Sequence, residues 1–456
     1  MPSAPLHLWS SAAALLAVGV VSAVHANQDW PRWRGPSPAG IAPGAQPPTT
    51  WSETQNIRWK SKIPGQGFST PIVWGDRIYL LLAIATNEER PAASIETPSP
   101  EPAGQGGRRG GKGGGFRGGG PTPTKVHEFV VLALERNTGR IVWQKTARRE
   151  VPHEGHHPSH GFASASPVTD GRRLWVSFGS RGLYCYDLEG NLQWEKDLGD
   201  MRTRGGFGEG ASPALAGEVL IVPWDHEDQS FVVALEQATG REVWRKERDE
   251  RSSWSTPVIV EVGGRRLAVI AATNRTRAYD VATGEVVWEA GGLTPNVIPT
   301  PVVGHGMIYV MSGFQGNSIQ AIKLTATGDV TGTDQVVWSR RRSAPYVPSP
   351  VLSGDRLYMG KSNDAYLSCL NALTGEVHYE DQPLPGVRGI YASPLAANGH
   401  LYIVGREGTT LVLKDQPAFE VVATNTLGER IDASPVMLGR ELYLRGHEHL
   451  YCIAEN

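Results

Sequence analysis

The densest run of titratable side chains is His153-Glu154-Gly155-His156-His157-Pro158-Ser159-His160. Imidazole nitrogens and a carboxylate are the donors that a divalent transition metal takes. His153, His156, His157 and His160 are therefore the candidate ligands. The adjacent pair His156-His157 fits no zinc spacing, and Gly155 and Pro158 make the run a loop. The spacing alone thus predicts no metal centre. Asp225-His226-Glu227-Asp228 carries oxygen donors for Ca²⁺, but lacks the spaced acids and central Gly of an EF-hand loop. The thiols of Cys185, Cys369 and Cys452 form neither an adjacent pair nor a Cys-x-x-Cys-His haem attachment. A third set mixes aromatic and polar side chains: Phe68, Phe207, Trp254, Tyr346 and Tyr391 with Arg181, Glu209, Asn274, Arg275, Arg406 and Asp432. Such a mixture suits the wall of a ligand cleft.

The elements that place these residues follow from a repeat. A Ser or Thr followed by Pro ends at Pro71, Pro167, Pro213, Pro257, Pro301, Pro350, Pro394 and Pro435, with a period of about 44 residues that marks a repeat architecture. Each unit reads as four short strands. In one unit these are Pro257-Val260, Leu267-Ala271, Arg277-Asp280 and Glu285-Trp288, with turns at Gly263-Gly264 and Thr283-Gly284. Thr138-Gly139, Thr239-Gly240 and Thr374-Gly375 repeat that last turn, and Trp143, Trp194, Trp244, Trp288 and Trp338 close fourth strands. Tyr379 takes this place in the sixth unit, and the seventh has no aromatic there. Four-stranded units at this spacing predict an all-β protein, an eight-bladed β-propeller of antiparallel blades. The eighth unit lacks a fourth strand. Asn56-Lys60, with Trp59, supplies it from the other terminus and removes the open edges. The domain division is a signal peptide at 1–26, an N-terminal arm at 27–55 and a propeller at 56–456. A Pro/Gly/Arg-rich insertion at 86–125 interrupts blade 1 and is expected to be a disordered surface loop. The arm holds Trp30 and Trp33, which need cover, and is expected to pack on the propeller.

In a propeller, the loops from strand two to three and from strand four to the next blade share one face, here the top. The residues before each Ser/Thr-Pro ring the channel mouth: Phe68, His160, Phe207, Glu209, Trp254, Tyr346, Tyr391 and Asp432. Arg181, Asp225, His226, Asn274, Arg275 and Arg406 sit in the two-to-three loops farther out. The three cysteines occupy a third-strand position held elsewhere by Ala133, Ala234, Ala278 and Ala321, so they read as small core residues. The formal net charge of −2 gives no electrostatic case for nucleic acid. Residues 8–24 are apolar and end in Val24-His25-Ala26, so export is expected, to the periplasm or outside the cell, without a membrane span in the mature chain.

The Ser-x-Pro start and Thr-Gly-x-x-x-Trp end resemble the pyrroloquinoline-quinone (PQQ) propeller repeat over nearly all of 56–456. Phe178-Asp187, Tyr391-Pro394, Leu444-Gly446 and the Asp29-Trp30-Pro31 opening are similar to exported bacterial PQQ-binding-like propellers. These are often named after BamB of the outer-membrane assembly machinery. The resemblance implies two functions. One is quinoprotein alcohol dehydrogenase activity, with PQQ under adjacent cysteines and over a Trp, a Ca²⁺ ion and an Asp base. Trp254 could serve as floor, but no Glu, Asn and Asp set matches the metal site, so no catalytic residue carries over and no cofactor is expected. BamB itself is a lipoprotein, and this chain has no lipid-bearing Cys. The expected function is a non-catalytic, monomeric scaffold for a protein partner in the cell envelope, or for a small ligand at the mouth. A PQQ-dependent oxidoreductase with Ca²⁺ is the alternative. Carbohydrate binding by Phe68, Trp254, Tyr346 and Tyr391 is a third.

Overall fold

The computed structural model describes residues 1, 29–90 and 119–455. The expected signal segment and most of the insertion lie outside the described residues. Eight antiparallel four-stranded sheets form a ring of blades. Blade 1 is Ile72–Trp74, Arg77–Glu89, Lys125–Glu135 and Ile141–Glu150. Blades 2, 3 and 4 start at Val168, Ala214 and Val258, and blades 5, 6 and 7 at Val302, Val351 and Leu395. Blade 8 joins Val436–Leu438, Glu441–Arg445 and His449–Ile453 to Ile57–Lys62 from the other end of the chain, with Trp59 opposite Cys452. Blade 4 gains a short parallel strand, Gly328–Asp329, on its outer edge.

The repeated hydroxyl has a structural task. The N–H of Thr70 donates to the Ser166 hydroxyl (3.0 Å), and Ser166 N–H donates to Ser212 (2.9 Å). The relay runs on through Thr256, Thr300, Ser349, Ser393 and Ser434, whose N–H returns to Thr70 at 3.2 Å. One closed belt of eight hydrogen bonds thus ties every innermost strand to its neighbour. The fourth-strand Trp ties the outer edges. Trp59, Trp143, Trp194, Trp244 and Trp338 each donate an indole N–H to a carbonyl of the next blade at 2.8–3.1 Å. Each ring lies on that blade's turn glycine. At Gly240, φ is +70° and an added Cβ would fall 2.7 Å from Trp194, so both backbone and space demand Gly. The three cysteines are buried and unpaired, opposite Trp194, Tyr379 and Trp59.

The N-terminal arm crosses the bottom of the ring. Trp30 exchanges two backbone hydrogen bonds with Val73 of blade 1, and Pro31 accepts from Thr169 of blade 2. Ala39 then accepts from Leu352 of blade 6, Ala42 donates to Ala396 of blade 7, and Gln46 donates to Gly439 of blade 8. Blades 2 and 6 are opposite in a ring of eight, so residues 31–39 span the bottom opening of the channel. Arg34 is buried there and donates to the Pro350 carbonyl. Farther along, Trp51 stacks on Tyr402 of blade 7, with centroids 6.5 Å apart. Ala423 stands where the other blades carry Trp or Tyr, opposite Val412. Trp51 therefore supplies from the arm the aromatic that blade 7 lacks.

The insertion begins later than its composition suggests. Strand pairing continues to Ala85–His127 and Glu89–Lys125, so residues 86–89 and 125 are strand and not loop. The alternating exposure of this extension and the Glu88–Arg149 ion pair (2.7 Å) explain it. Among the described residues, no helix is long and apolar enough to cross a membrane.

Candidate functional site

Loops from every blade converge on the top of the channel, where rings and guanidinium groups interlock. Phe207 lies 6.5 Å from Trp254 and 5.7 Å from His157 between centroids. Trp254 is fixed by its indole N–H on the Gly208 carbonyl (2.7 Å). Tyr346 stacks on Phe314 (4.9 Å), and Arg204 lies over the same Phe314 and donates to Asn296. Arg406 sits 3.5 Å above the Tyr391 ring, whose hydroxyl meets Ser159 (3.0 Å). Arg406 also donates to Asp432 (2.6 Å), which Arg430 (2.9 Å) and His447 (3.0 Å) share. Phe68 packs edge-on against His447 at 5.0 Å. These groups form a collar whose half-buried surface is aromatic and cationic, over the buried Asn296 and Asp432.

Other expected site residues lie elsewhere. Asp225 borders the cleft that holds Trp254, but its carboxylate is buried in a two-pronged pair with Arg248 (2.7 and 3.1 Å). His226 accepts from the Arg202 N–H, Glu227 accepts from Ser252, and Asp228 pairs with Arg202. The carboxylates of this loop engage different partners, so the oxygen donors do not converge, in keeping with the missing EF-hand pattern. Asn274 is tied to the Asp249 backbone, and Arg275 pairs with Glu289 and Asp329 at the outer side of blade 4. A residue's loop face, which is what the repeat gives for these positions, fixes neither radius nor side-chain direction.

The histidine run also separates. His156 and His160 contact the carbonyls of His157 and Gly161, and His157 contacts the Ser159 hydroxyl. Burial and the neighbouring His156 push the His160 imidazole down to about 4. The four imidazoles do not share a point. His153 instead meets Glu154 and Glu209, with one donor atom from each within 4.8 Å of the others. They line a cleft of about 50 Å³, together with Arg181 and Trp254. Glu209 accepts from Ser180 N–H (2.6 Å) and its hydroxyl (2.5 Å), and Glu154 accepts from Thr203. Burial, aided by Glu154, raises the Glu209 carboxyl to about 8 against the pull of the Ser180 bonds. Arg181 is buried beside them but pairs with Glu150 (3.0 Å) and Asp200. Arg204 and Phe314 carry no repeat signal of their own in the sequence. Phe314 follows Gly313 in a two-to-three loop, and that position is the sequence signal that could have found it.

No curated protein sequence matches the chain. Among solved structures, BamB from Moraxella catarrhalis superposes with a TM-score of 0.51 and 15% identity, over 71% of this chain and 93% of that one. A quinohemoprotein alcohol dehydrogenase from Pseudomonas putida HK5 gives 0.55 and 10%, over 93% of this chain and 80% of the other. At such identity the two superpositions establish the fold alone. The family model described as outer membrane protein assembly factor BamB matches residues 127–377 and 228–455, and with the propeller it spans most of, the chain belongs to the BamB-like family of PQQ-repeat β-propellers.

Proposed function

We propose that the protein is a non-catalytic, exported propeller whose top collar receives a protein partner in the cell envelope. The observation that carries this reading is the asymmetry of the channel. The arm crosses the bottom end, while the top end offers Trp254, Tyr346, Tyr391, Arg204 and Arg406 half-buried. Trp, Tyr and Arg in a partly desolvated setting are the side chains that dominate protein interfaces. The family's named member is an assembly factor, which supports the same reading. The protein would act as a monomer, in the periplasm or outside the cell.

The collar residues do not fit a PQQ–Ca²⁺ site. Asp432 is engaged by three cationic or imidazole groups. The Asn296 amide is shared between Arg204 and Tyr346, and the cysteines are buried one each in blades 2, 6 and 8. No step through the quinone is derived. Sugar stacking needs free ring faces, yet Arg406 covers Tyr391 and Phe314 covers Tyr346, so carbohydrate is not part of the proposal.

The test is photo-crosslinking in the producing cell, with the reactive residue at Tyr391 or Trp254 and a control at Leu373 in a bottom turn. A discrete adduct from the top positions alone is expected. Equal adducts from both faces, none from either, or dye-linked dehydrogenase turnover after adding PQQ and Ca²⁺ would overturn the proposal.

A further inference from the structure

We propose that His153, Glu154 and Glu209 bind one divalent transition-metal cation in the top-face cleft beside blades 2 and 3. The inference is independent of a partner at the collar. Two donors each about 2.1 Å from one ion lie about 3–4.2 Å apart. His153 Nε2 is already 3.7 Å from Glu209 Oε1, and one donor atom from each of the three residues lies within 4.8 Å of the others. Side-chain adjustment of less than about 1 Å closes the set to bonding geometry.

The carboxylates are held for the task. Ser180 fixes Glu209 through its N–H and hydroxyl, and Thr203 fixes Glu154 in the same way. Such outer hydrogen bonds orient metal ligands and keep them from swinging away. His153 Nδ1 lies 3.8 Å from Asp200, too far for a hydrogen bond but the carboxylate nearest to that nitrogen's side of the ring. Nε2 lies 2.7 Å from the Met201 carbonyl. A carbonyl only accepts, so Nε2 carries the proton in the ion-free site; an ion would displace that proton, leave the ring protonated on Nδ1, and take the Met201 oxygen as a fourth donor.

Charge points the same way. Two carboxylates converge in a largely buried cleft, the Glu209 side chain being 15% exposed. Among the described residues, neither Glu154 nor Glu209 forms an ion pair with Lys or Arg, because Arg181 is committed to Glu150 and Asp200. Closely placed buried carboxylates without a cation are unfavourable, and a divalent ion removes that cost. The cleft has room for an ion and about one water, whose share of liquid volume is about 30 Å³. One imidazole with carboxylate oxygens selects Zn²⁺, Mn²⁺ or Co²⁺ over the all-oxygen preference of Ca²⁺.

The experiment strips the purified full chain with EDTA and titrates Zn²⁺ by calorimetry, with Co²⁺ absorption as a second readout. One ion per chain is expected, with visible Co²⁺ bands of a nitrogen and oxygen site. Glu154→Gln and His153→Ala should each weaken binding at least tenfold, while His156→Ala should leave it unchanged. Since His153→Ala could disturb the loop, Glu154→Gln decides: its amide oxygen still accepts from Thr203, and its unliganded melting temperature should match the parent. No stoichiometric uptake by the parent, or equal uptake by Glu154→Gln, would overturn the site and assign any zinc to surface histidines.

Discussion

Replacing Trp51 by Ala removes an aromatic that belongs to one segment and serves another. Trp51 is 4% exposed and stacks on Tyr402 in the place left by Ala423. Truncating a buried Trp or Phe costs about 3–5 kcal/mol from lost transfer energy and the cavity left behind. The indole N–H has no acceptor among the described residues, so no hydrogen bond adds to that figure. The void lies between the arm, blade 7 and the joint of blade 8, and the arm can relax into part of it. A loss of about 3 kcal/mol, the low end of that range, is therefore expected. Equilibrium urea unfolding, followed by tryptophan-independent far-ultraviolet dichroism, measures it, provided the urea slope is unchanged. The account also predicts a rescue. Ala423→Trp with Val412→Ala recreates in blade 7 the pairing of a small residue opposite Trp that blades 1 to 5 and 8 use. Added to Trp51→Ala, this pair should recover at least half the loss. A loss below about 1 kcal/mol for Trp51→Ala, the size of an ordinary surface substitution, would refute the idea that the arm completes blade 7.

Three further expectations concern residues whose roles the structure separates. Asp225→Ala strands the buried Arg248 guanidinium and should cost about 3–5 kcal/mol, whereas Arg275→Ala breaks exposed pairs with Glu289 and Asp329 and should cost less than about 1 kcal/mol by the same unfolding assay. Ser212→Ala leaves the Ser166 N–H without its acceptor in the belt, a cost of about 1–3 kcal/mol, while Ser212→Thr, which keeps the hydroxyl, should change little. His160 is held neutral when folded, near 4 against an ordinary 6.5. Between these values the unfolded chain binds more protons, so stability from this group is complete above about pH 6.5 and is lost as pH falls toward 4. His160→Asn should flatten that part of a stability–pH profile.

Blades were legible because their signals are local. Period-two strands, a turn glycine and an edge Trp recur within each unit, and the cysteines could be aligned with alanines at the same register. The belt was half legible. Recurrence marked the Ser/Thr hydroxyl, but its partner lies about one repeat away and appears only when the ring closes. The arm was legible as something needing cover, through Trp30 and Trp33. Its path was not, since Ala39, Ala42 and Trp51 find partners more than 300 residues on, at Leu352, Ala396 and Asn425. Asp225 misled for a related reason: an acid beside His226, Glu227 and Asp228 looks solvated until Arg248, a strand away, is seen to fold onto it. Glu154 and Glu209 meet because two different blades aim their loops at one point, and no spacing in the sequence encodes that.

The N-terminal stretch links these features into one argument. Residues 30–62 span the bottom opening, supply the missing aromatic and provide the last strand of blade 8. The bottom span, the aromatic and the strand each reach blades 6 to 8, hundreds of residues on, so the loop-closure entropy is met once and shared among them. The closed ring is therefore the state in which the hydroxyl belt is complete, and the belt sits directly beneath the loops that carry Phe207, Trp254, Tyr346, Tyr391 and Asp432. Opening any joint would release the inner strands in sequence and let the collar spread. The placing of the top loops thus depends on how the bottom and the edge are sealed. In the proposed role of that face, holding aromatic and guanidinium groups at set separations before a partner arrives would lower the entropy that binding must overcome.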